Sequence, residues 1–258
     1  MVHGTARDFL SIFIGFISGA LSGAFGVGGA VISTPLIRAL GVSPLLAVGT
    51  TLPAILPSSL TGTIRYSSAR IVHWDIVLHT VPLGVISAVG ASYLTHSVPG
   101  HGHWLMVATA VIMGVTAFRI GRDKNSFPKN PDKTKQPFRL APEVLGIFAG
   151  GLSGLLGVGG GLITVPGFRQ ILKLPLIDTI ATSLVCVGIF AIPSTIIHAR
   201  IGDIDWTIAS GLILGVIPGS WLGSRWSMRA SDRRLRISVS VVLTVIAIIY
   251  GITELRGV

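Results

Sequence analysis

The sequence predicts an all-α, polytopic membrane protein. It is built of two inverted repeats, each a glycine-broken re-entrant helical hairpin followed by three transmembrane helices. Three observations carry this. Half of the 258 residues are hydrophobic and 12% are charged, against about 25% charge in a soluble domain, so the chain lacks the polar surface to face water. Leu21-Ser-Gly-Ala-Phe-Gly-Val-Gly-Gly29 returns 131 positions later as Leu152-Ser-Gly-Leu-Leu-Gly-Val-Gly-Gly160, and Pro35 and Pro44 return as Pro166 and Pro175 at the same shift. The basic residues fall mostly on one side of the membrane only if the two glycine-bearing segments turn back on themselves.

Eight apolar segments follow in order: 9–40, 44–66, 75–95, 104–121, 142–172, 175–198, 206–226 and 237–255. Six are near the ~20 residues that a spanning helix needs. The first and fifth have 32 and 31 residues and carry the glycine break in the middle. A straight helix of that length would reach about 48 Å, well past a core of about 30 Å, whereas two full crossings would need about 40 residues. A half-helix in, a glycine turn and a shorter half-helix back fits the length. Gly-rich interruptions are tolerated at membrane depth only where the freed backbone faces protein or a watery cavity.

Charge arbitrates between crossing and re-entry. If all eight segments cross, the 20 Lys and Arg divide 12 to 8. If the first and fifth re-enter, one side keeps only Arg7, Arg38, Arg200 and Arg256, and the other holds 16. The positive-inside rule favours the second arrangement, with both termini outside and three crossings per half. An odd number of crossings makes the halves antiparallel, as in many secondary transporters. The organisation expected is a first repeat at 1–121, a basic cytoplasmic linker at 122–141 and a second repeat at 142–258. The linker carries Lys124, Lys129, Lys133 and Lys135 with three prolines and too little apolar content to fold. The loop pattern Ala69-Arg70-Ile71 with Asp75 also returns, as Ala199-Arg200-Ile201 with Asp205. No cleavable leader is expected, because the first apolar stretch contains the repeat itself.

The candidate site lies at the breaks, Gly26, Gly28 and Gly29 in one half and Gly157, Gly159, Gly160 and Gly161 in the other. Glycine permits positive φ and carries no side chain. The half-helix that starts after each break leaves its first N–H groups without intrahelical partners and adds the positive end of its dipole. Together these form an anion site that needs no charged residue, and two such tips from inverted halves would meet near the midplane. The competing reading is close helix packing through small residues. Hydroxyls follow each break: Thr50 and Thr51 correspond to Thr182 and Ser183, and Ser58 to Ser194. They can donate to an anion or back-bond to their own helices. Pro53, Pro57 and Pro193 loosen those helices.

Several classes drop out. Asp75, Asp178, Asp205, Glu143 and Glu254 all sit at segment ends, so no mid-membrane carboxylate relay is expected. Arg65, Arg70 and Arg200 end helices and read as interfacial. His79, inside the third segment, reads as packed or interfacial. The single cysteine, Cys186, excludes an internal disulfide and reads as a small packing residue. Neither metal nor other cofactor is expected. The net charge of +10 reflects basic loops rather than nucleic-acid binding, since no soluble domain exists to carry it. The expected partners are a small anionic substrate and membrane lipid, and a homo-oligomer is left open.

Gly23-Ala-Phe-Gly-Val-Gly-Gly29 with Pro35, Ala47-Val-Gly-Thr-Thr-Leu52, and Gly154-Leu-Leu-Gly-Val-Gly-Gly-Gly161 with Pro166 resemble the TauE/SafE sulfite exporter family. Ala181-Thr-Ser-Leu184 and His198-Ala-Arg-Ile-Gly-Asp-Ile-Asp205 add to the likeness, which covers nearly the whole chain. The resemblance implies a multi-pass permease of the prokaryotic plasma (inner) membrane for sulfite, sulfoacetate or another organosulfonate. Ala30 stands where the second copy has Gly161, so the two tips need not contribute equally. Two other classes were weighed. Gly151-Leu-Ser-Gly154 matches the Gly-x-Ser-Gly pattern of rhomboid intramembrane serine proteases, with His198 as the nominal base. The repeat of that serine as Ser22 points instead to packing. A non-transporting membrane scaffold is the third class.

Overall fold

The computed structural model describes residues 4–97, 103–122 and 140–255. The expected linker therefore lies, apart from its ends, outside the described residues. Those residues form ten α-helices and one short 3-10 turn, Thr95–Ser97. The first half holds α1 (Gly4–Phe25), α2 (Ala30–Ala39), α3 (Pro44–Ser68), α4 (Trp74–Leu94) and α5 (His103–Arg122). The second holds α6 (Ala141–Leu156), α7 (Gly161–Gln170), α8 (Leu176–Ile201), α9 (Trp206–Arg229) and α10 (Asp232–Leu255). Each half thus repeats the same order: two helices flanking a glycine break, then three more.

Local chemistry sets the boundaries. Pro44 opens α3 and Pro175 caps α8, positions where the missing N–H costs no intrahelical bond. Asp205 caps α9, accepting from the N–H groups of Thr207 and Ile208 at 3.0 and 3.2 Å, as an N-cap carboxylate should. Among the described residues five helices are long and apolar enough to cross a membrane: α3, α4, α8, α9 and residues 232–251 of α10. The helix expected as the sixth crossing, α5, runs for 20 residues. Leu78 and Ile86 of α4, Phe118 of α5 and Leu214 of α9 stand exposed on the outside, an apolar surface suited to lipid and not to water. The chain is a multi-pass membrane protein.

The glycine-bearing segments do not run straight. Gly29 lies against Ser18 of α1, and Ile37 and Ile14 share one apolar cluster. In the second half Gly160 lies against Ala149, and Gly167 against Leu145. In each half, therefore, the helix after the break packs against the helix before it. With 10 residues each, α2 and α7 reach about 15 Å, half of a bilayer core of about 30 Å.

The halves are interlocked. Helix α1 packs along α9 of the other half, and α6 packs along α4; α3 crosses α8, and α5 pairs with α10. The main pairings of the first half with the second have counterparts when the halves are exchanged. Glycines make the two tightest contacts. Gly15, Gly19 and Gly23 of α1 lie on the backbone of Leu212, Val216 and Ser220 of α9. Gly146, Gly150 and Gly154 of α6 lie on Thr80, Gly84 and Ala88 of α4. Spacing of four places each set on one helix face, where absent side chains let backbones touch. Helices α3 and α8 run antiparallel, with Gly62 against Leu184 and Gly188 against Ser59.

Candidate functional site

The two breaks meet. An added Cβ on Gly28 would come 2.9 Å from the carbonyl oxygen of Val158, and one on Gly161 would strike the backbone of Val27. Val187 of α8 lies against both Gly28 and Gly159, and Ile55 of α3 lies against Gly159. All residues from Gly26 to Gly29 and from Gly157 to Gly161 are buried. The two loops, far apart in sequence, touch in the buried interior, and Val187 and Ile55 lie against them in one apolar cluster.

Glycine is required for this geometry. Gly26, Gly28, Gly157, Gly159 and Gly160 have φ of 68°, 81°, 65°, 77° and 75°, a region that costs an L-residue roughly 1–2 kcal/mol. Gly29 is right-handed, with φ −61°, and an added Cβ there would meet Ser18 only at 3.4 Å, so it is Gly161, set on the Val27 backbone, that is needed for space. The left-handed turns withdraw the backbone from helical bonding. Gly26 and Gly157 still donate to Ser22 and Ser153, and regular bonding resumes at Val31 and Ile163. Among the described residues, the N–H groups of Val27, Gly28, Gly29 and Ala30 find no acceptor, nor do those of Val158, Gly159, Gly160, Gly161 and Leu162. Buried backbone donors are almost always paired. Nine without acceptors lie together where the two breaks meet.

Each break rests on the third helix of the opposite half. Gly26 packs on Ile180 of α8, and Gly157 packs on Val48 of α3. Ser183 donates to the Gly26 carbonyl at 2.8 Å, with Thr164 Oγ1 2.6 Å from its own oxygen. Thr51 donates to Val48 and lies 3.1 Å from Thr34 Oγ1. The expected hydroxyls Thr51 and Ser183 are therefore at the breaks. Thr34 and Thr164, which the sequence reading passed over, complete them; their own recurrence 130 positions apart was the available signal. Ser183→Ala is expected to leave the buried Gly26 carbonyl without its donor. The cost is about 1–3 kcal/mol, read as a melting point lowered by several degrees, while Ser183→Thr retains most of the stability.

Thr50 and Thr182 go elsewhere. Thr50 Oγ1 accepts from the Asp205 N–H at 2.9 Å, and Thr182 Oγ1 from the His73 N–H at 3.1 Å. They tie α3 and α8 to the loops that precede α9 and α4. Ser58 lies two helical turns beyond Thr51; its hydroxyl has no partner among the described residues, while its carbonyl accepts from Ser220 at 2.6 Å. Ser194 back-bonds to Phe190 at 3.1 Å.

Charge stays away from the breaks. Among the described residues the buried charged side chains are Arg169 and Asp178, both at helix ends. Asp178 pairs with His73 at 3.0 Å, and Arg169 with Asp232 at 3.5 Å. His79 is exposed and bonds its own helix at Asp75. Arg65 lies over the Trp221 ring at 5.0 Å. No group of three or more metal-binding side chains occurs among the described residues.

The serine that invited a protease reading is not engaged by a base. Ser153 Oγ has no partner among the described residues. The fully buried His198 places Nε2 3.5 Å from the Gly154 carbonyl and Nδ1 3.1 Å from Asp203. Tyr66, 132 positions earlier, donates to the Gly23 carbonyl in the same way. Tyrosine and histidine occupy one structural role, gripping the last turn of the helix before each break, and a nucleophile–base hydrogen bond is missing. Ser153→Ala is expected to keep full function, and a fluorophosphonate probe to leave the protein unlabelled; labelling at Ser153 would reverse this reading.

The family model described as Sulfite exporter TauE/SafE matches residues 11–250. A probable membrane transporter protein of Xylella fastidiosa (strain 9a5c) is 28% identical over 238 residues, covering 91% of this chain and 89% of the relative. The probable membrane transporter protein YjnA of Bacillus subtilis is 28% identical over 246 residues, 90% and 95% of the two chains. The probable membrane transporter protein MJ0441 of Methanocaldococcus jannaschii is 25% identical over 260 residues, 93% of each. No solved structure matches the chain.

Proposed function

Because the chain belongs to the sulfite exporter TauE/SafE family and is a membrane transporter, we propose that it moves a small sulfur-containing anion across the prokaryotic plasma membrane by alternating access. The substrate class is sulfite, sulfoacetate or another organosulfonate. The observation that carries the proposal is the cluster of nine acceptor-less backbone N–H groups where the two glycine breaks touch. An SO3 group presents several oxygens around one centre. Amides from two helix starts, each backed by a dipole equivalent to about half a positive charge, suit such a group without a fixed cation. Thr51, Ser183, Thr34 and Thr164 stand beside the breaks and hold their backbone in place through hydrogen bonds of their own. Ser58 and Ser194 lie further along α3 and α8 on the proposed path.

The fold supports the transport cycle. The short returning arms α2 and α7 match re-entrant hairpins that stop halfway. The antiparallel run of the equivalent helices α3 and α8 is what an inverted repeat requires, since the axis relating them must then lie across the helices. Val187 and Ile55 sit together on the glycines as an apolar cover. Rocking one hairpin with the helices it grips would open one side at a time.

Purified protein in liposomes tests the proposal. Labelled sulfite or sulfoacetate should exchange at least about tenfold faster than in empty liposomes, and each anion should raise the melting temperature in detergent. If none of these anions moves or shifts melting while uncharged solutes do, the anion reading is wrong. Topology has its own test in a Cys186→Ala background. Ser43→Cys should label from outside and Arg229→Cys from inside; labelling of both from one face would overturn the inverted arrangement.

A further inference from the structure

A groove of about 270 Å³ runs between α5 and the second hairpin. Its walls are Val111 and Val115 of α5 on one side and Leu162, Ile163 and Ile171 at or beside α7 on the other. Thr116 donates to the Leu162 carbonyl at 3.0 Å and forms the floor. Val111, Val115 and Arg119 are four residues apart, so they line one face of α5. Helix α7 leaves the central break and finishes at Gln170. The groove is lined mostly by apolar side chains, with Arg119 and Gln170 as its charged and amide members. Arg119 stands three residues before the basic 122–141 stretch of the sequence, which the distribution of positive charge assigns to the cytoplasm.

Arg119 is exposed and has no ion-pair partner among the described residues. Its neighbour one turn on behaves differently: Arg122 lies over the Phe118 ring at 5.6 Å and lines a separate hollow against α10. An unpaired cation at the membrane face, above a slot with lipid-exposed apolar walls, has the polarity of an amphiphile with a negative head. Basic pockets between transmembrane helices on the cytoplasmic side are suited to anionic headgroups.

The geometry points to a binding site for an anionic phospholipid in the α5–α7 groove. Its phosphate meets Arg119, and an acyl chain lies along Val115, Ile163 and Ile171. The bound lipid fills the space between α5 and the returning arm of the second hairpin, and so braces the arm that starts at one of the two central breaks. The inference rests on the chain spanning a membrane and is independent of which solute crosses.

Full-length protein in neutral detergent tests it, with phosphatidylglycerol or phosphatidylcholine of the same chains added back. Phosphatidylglycerol should raise the melting temperature by about 5 °C more than phosphatidylcholine. Native mass spectrometry should show it retained in preference on the wild-type protein. Arg119→Gln should remove at least half of that excess on both readouts, and Arg122→Gln should leave it. Inorganic phosphate should not reproduce it. Equal effects of the two lipids, equal losses in the two arginine variants, or a full shift from phosphate alone would each overturn the site. Should Arg119→Gln fold poorly, the competition between the two lipids on the wild-type protein still decides.

Discussion

Gly28→Ala is expected to reduce anion flux at least about tenfold, while Gly41→Ala leaves it near the parent rate. Both glycines are left-handed, with φ of 81° and 87°, so both variants carry the same backbone penalty of roughly 1–2 kcal/mol. They differ in what the new methyl meets. At Gly41 nothing lies within 4 Å. At Gly28 the methyl would come 2.9 Å from the Val158 carbonyl oxygen and 3.2 Å from Val187 Cγ1. The carbonyl belongs to the opposite break, so the clash can be relieved only by parting the two breaks, which separates the amide clusters of the proposed site. A shift of about 1.4 kcal/mol against the closed arrangement already corresponds to tenfold. Flux per inserted protein in liposomes is the measurement, with melting temperature alongside. If the two alanines lower flux equally, backbone strain explains the effect and the meeting of the breaks has no part in transport.

Gly150→Val is expected to be the most damaging substitution for stability. A Cβ at Gly150 would fall on the Gly84 carbonyl of α4, and the neighbouring contacts of Gly146 with Thr80 and Gly154 with Ala88 leave no slack. Atoms added to a close-packed contact cost typically 1–3 kcal/mol where side chains can move, and here the obstacle is backbone. Forcing α4 and α6 apart should lower the melting temperature by about 10 °C or more, with little folded protein recovered. Gly90→Ala supplies the contrast on α4. Nothing lies within 4 Å of that position, and alanine is favoured over glycine in a helix by about 0.8–1.0 kcal/mol, so the variant should melt at or slightly above the parent. A Gly150→Val protein that melts within a few degrees of the parent would show that the α4–α6 contact is looser than the structure has it.

The site was legible to the extent that it is written in identical residues. The breaks at 26–29 and 157–161 stand out because glycine serves both a left-handed turn and a close approach, and both halves need both. Thr51 and Ser183 stood out because both copies carry a hydroxyl at that position. Their neighbours Thr50 and Thr182 were placed with them, yet adjacent residues on a helix point about 100° apart. When one of the pair faces the break, the other must face away, here toward the loops at His73 and Asp205. The pairing of Tyr66 with His198 escaped detection because the two residues share a role and not an identity. The glycines at every fourth position of α1 and α6 were in plain sight, but only the neighbours reveal what those glycines touch.

Composition and repetition by themselves determine that this chain lives in a membrane, that it is doubled, and where its helices break. Those properties follow from local physics: the cost of exposing apolar surface, the helix length a bilayer demands and the freedom of glycine. Tertiary structure alone decides that the breaks touch one another, that each leans on the opposite half, and that α1 and α6 exchange partners with α9 and α4. Contacts between residues 66 to 197 positions apart depend on how whole helices rotate and cross, and no local stretch of sequence encodes that rotation.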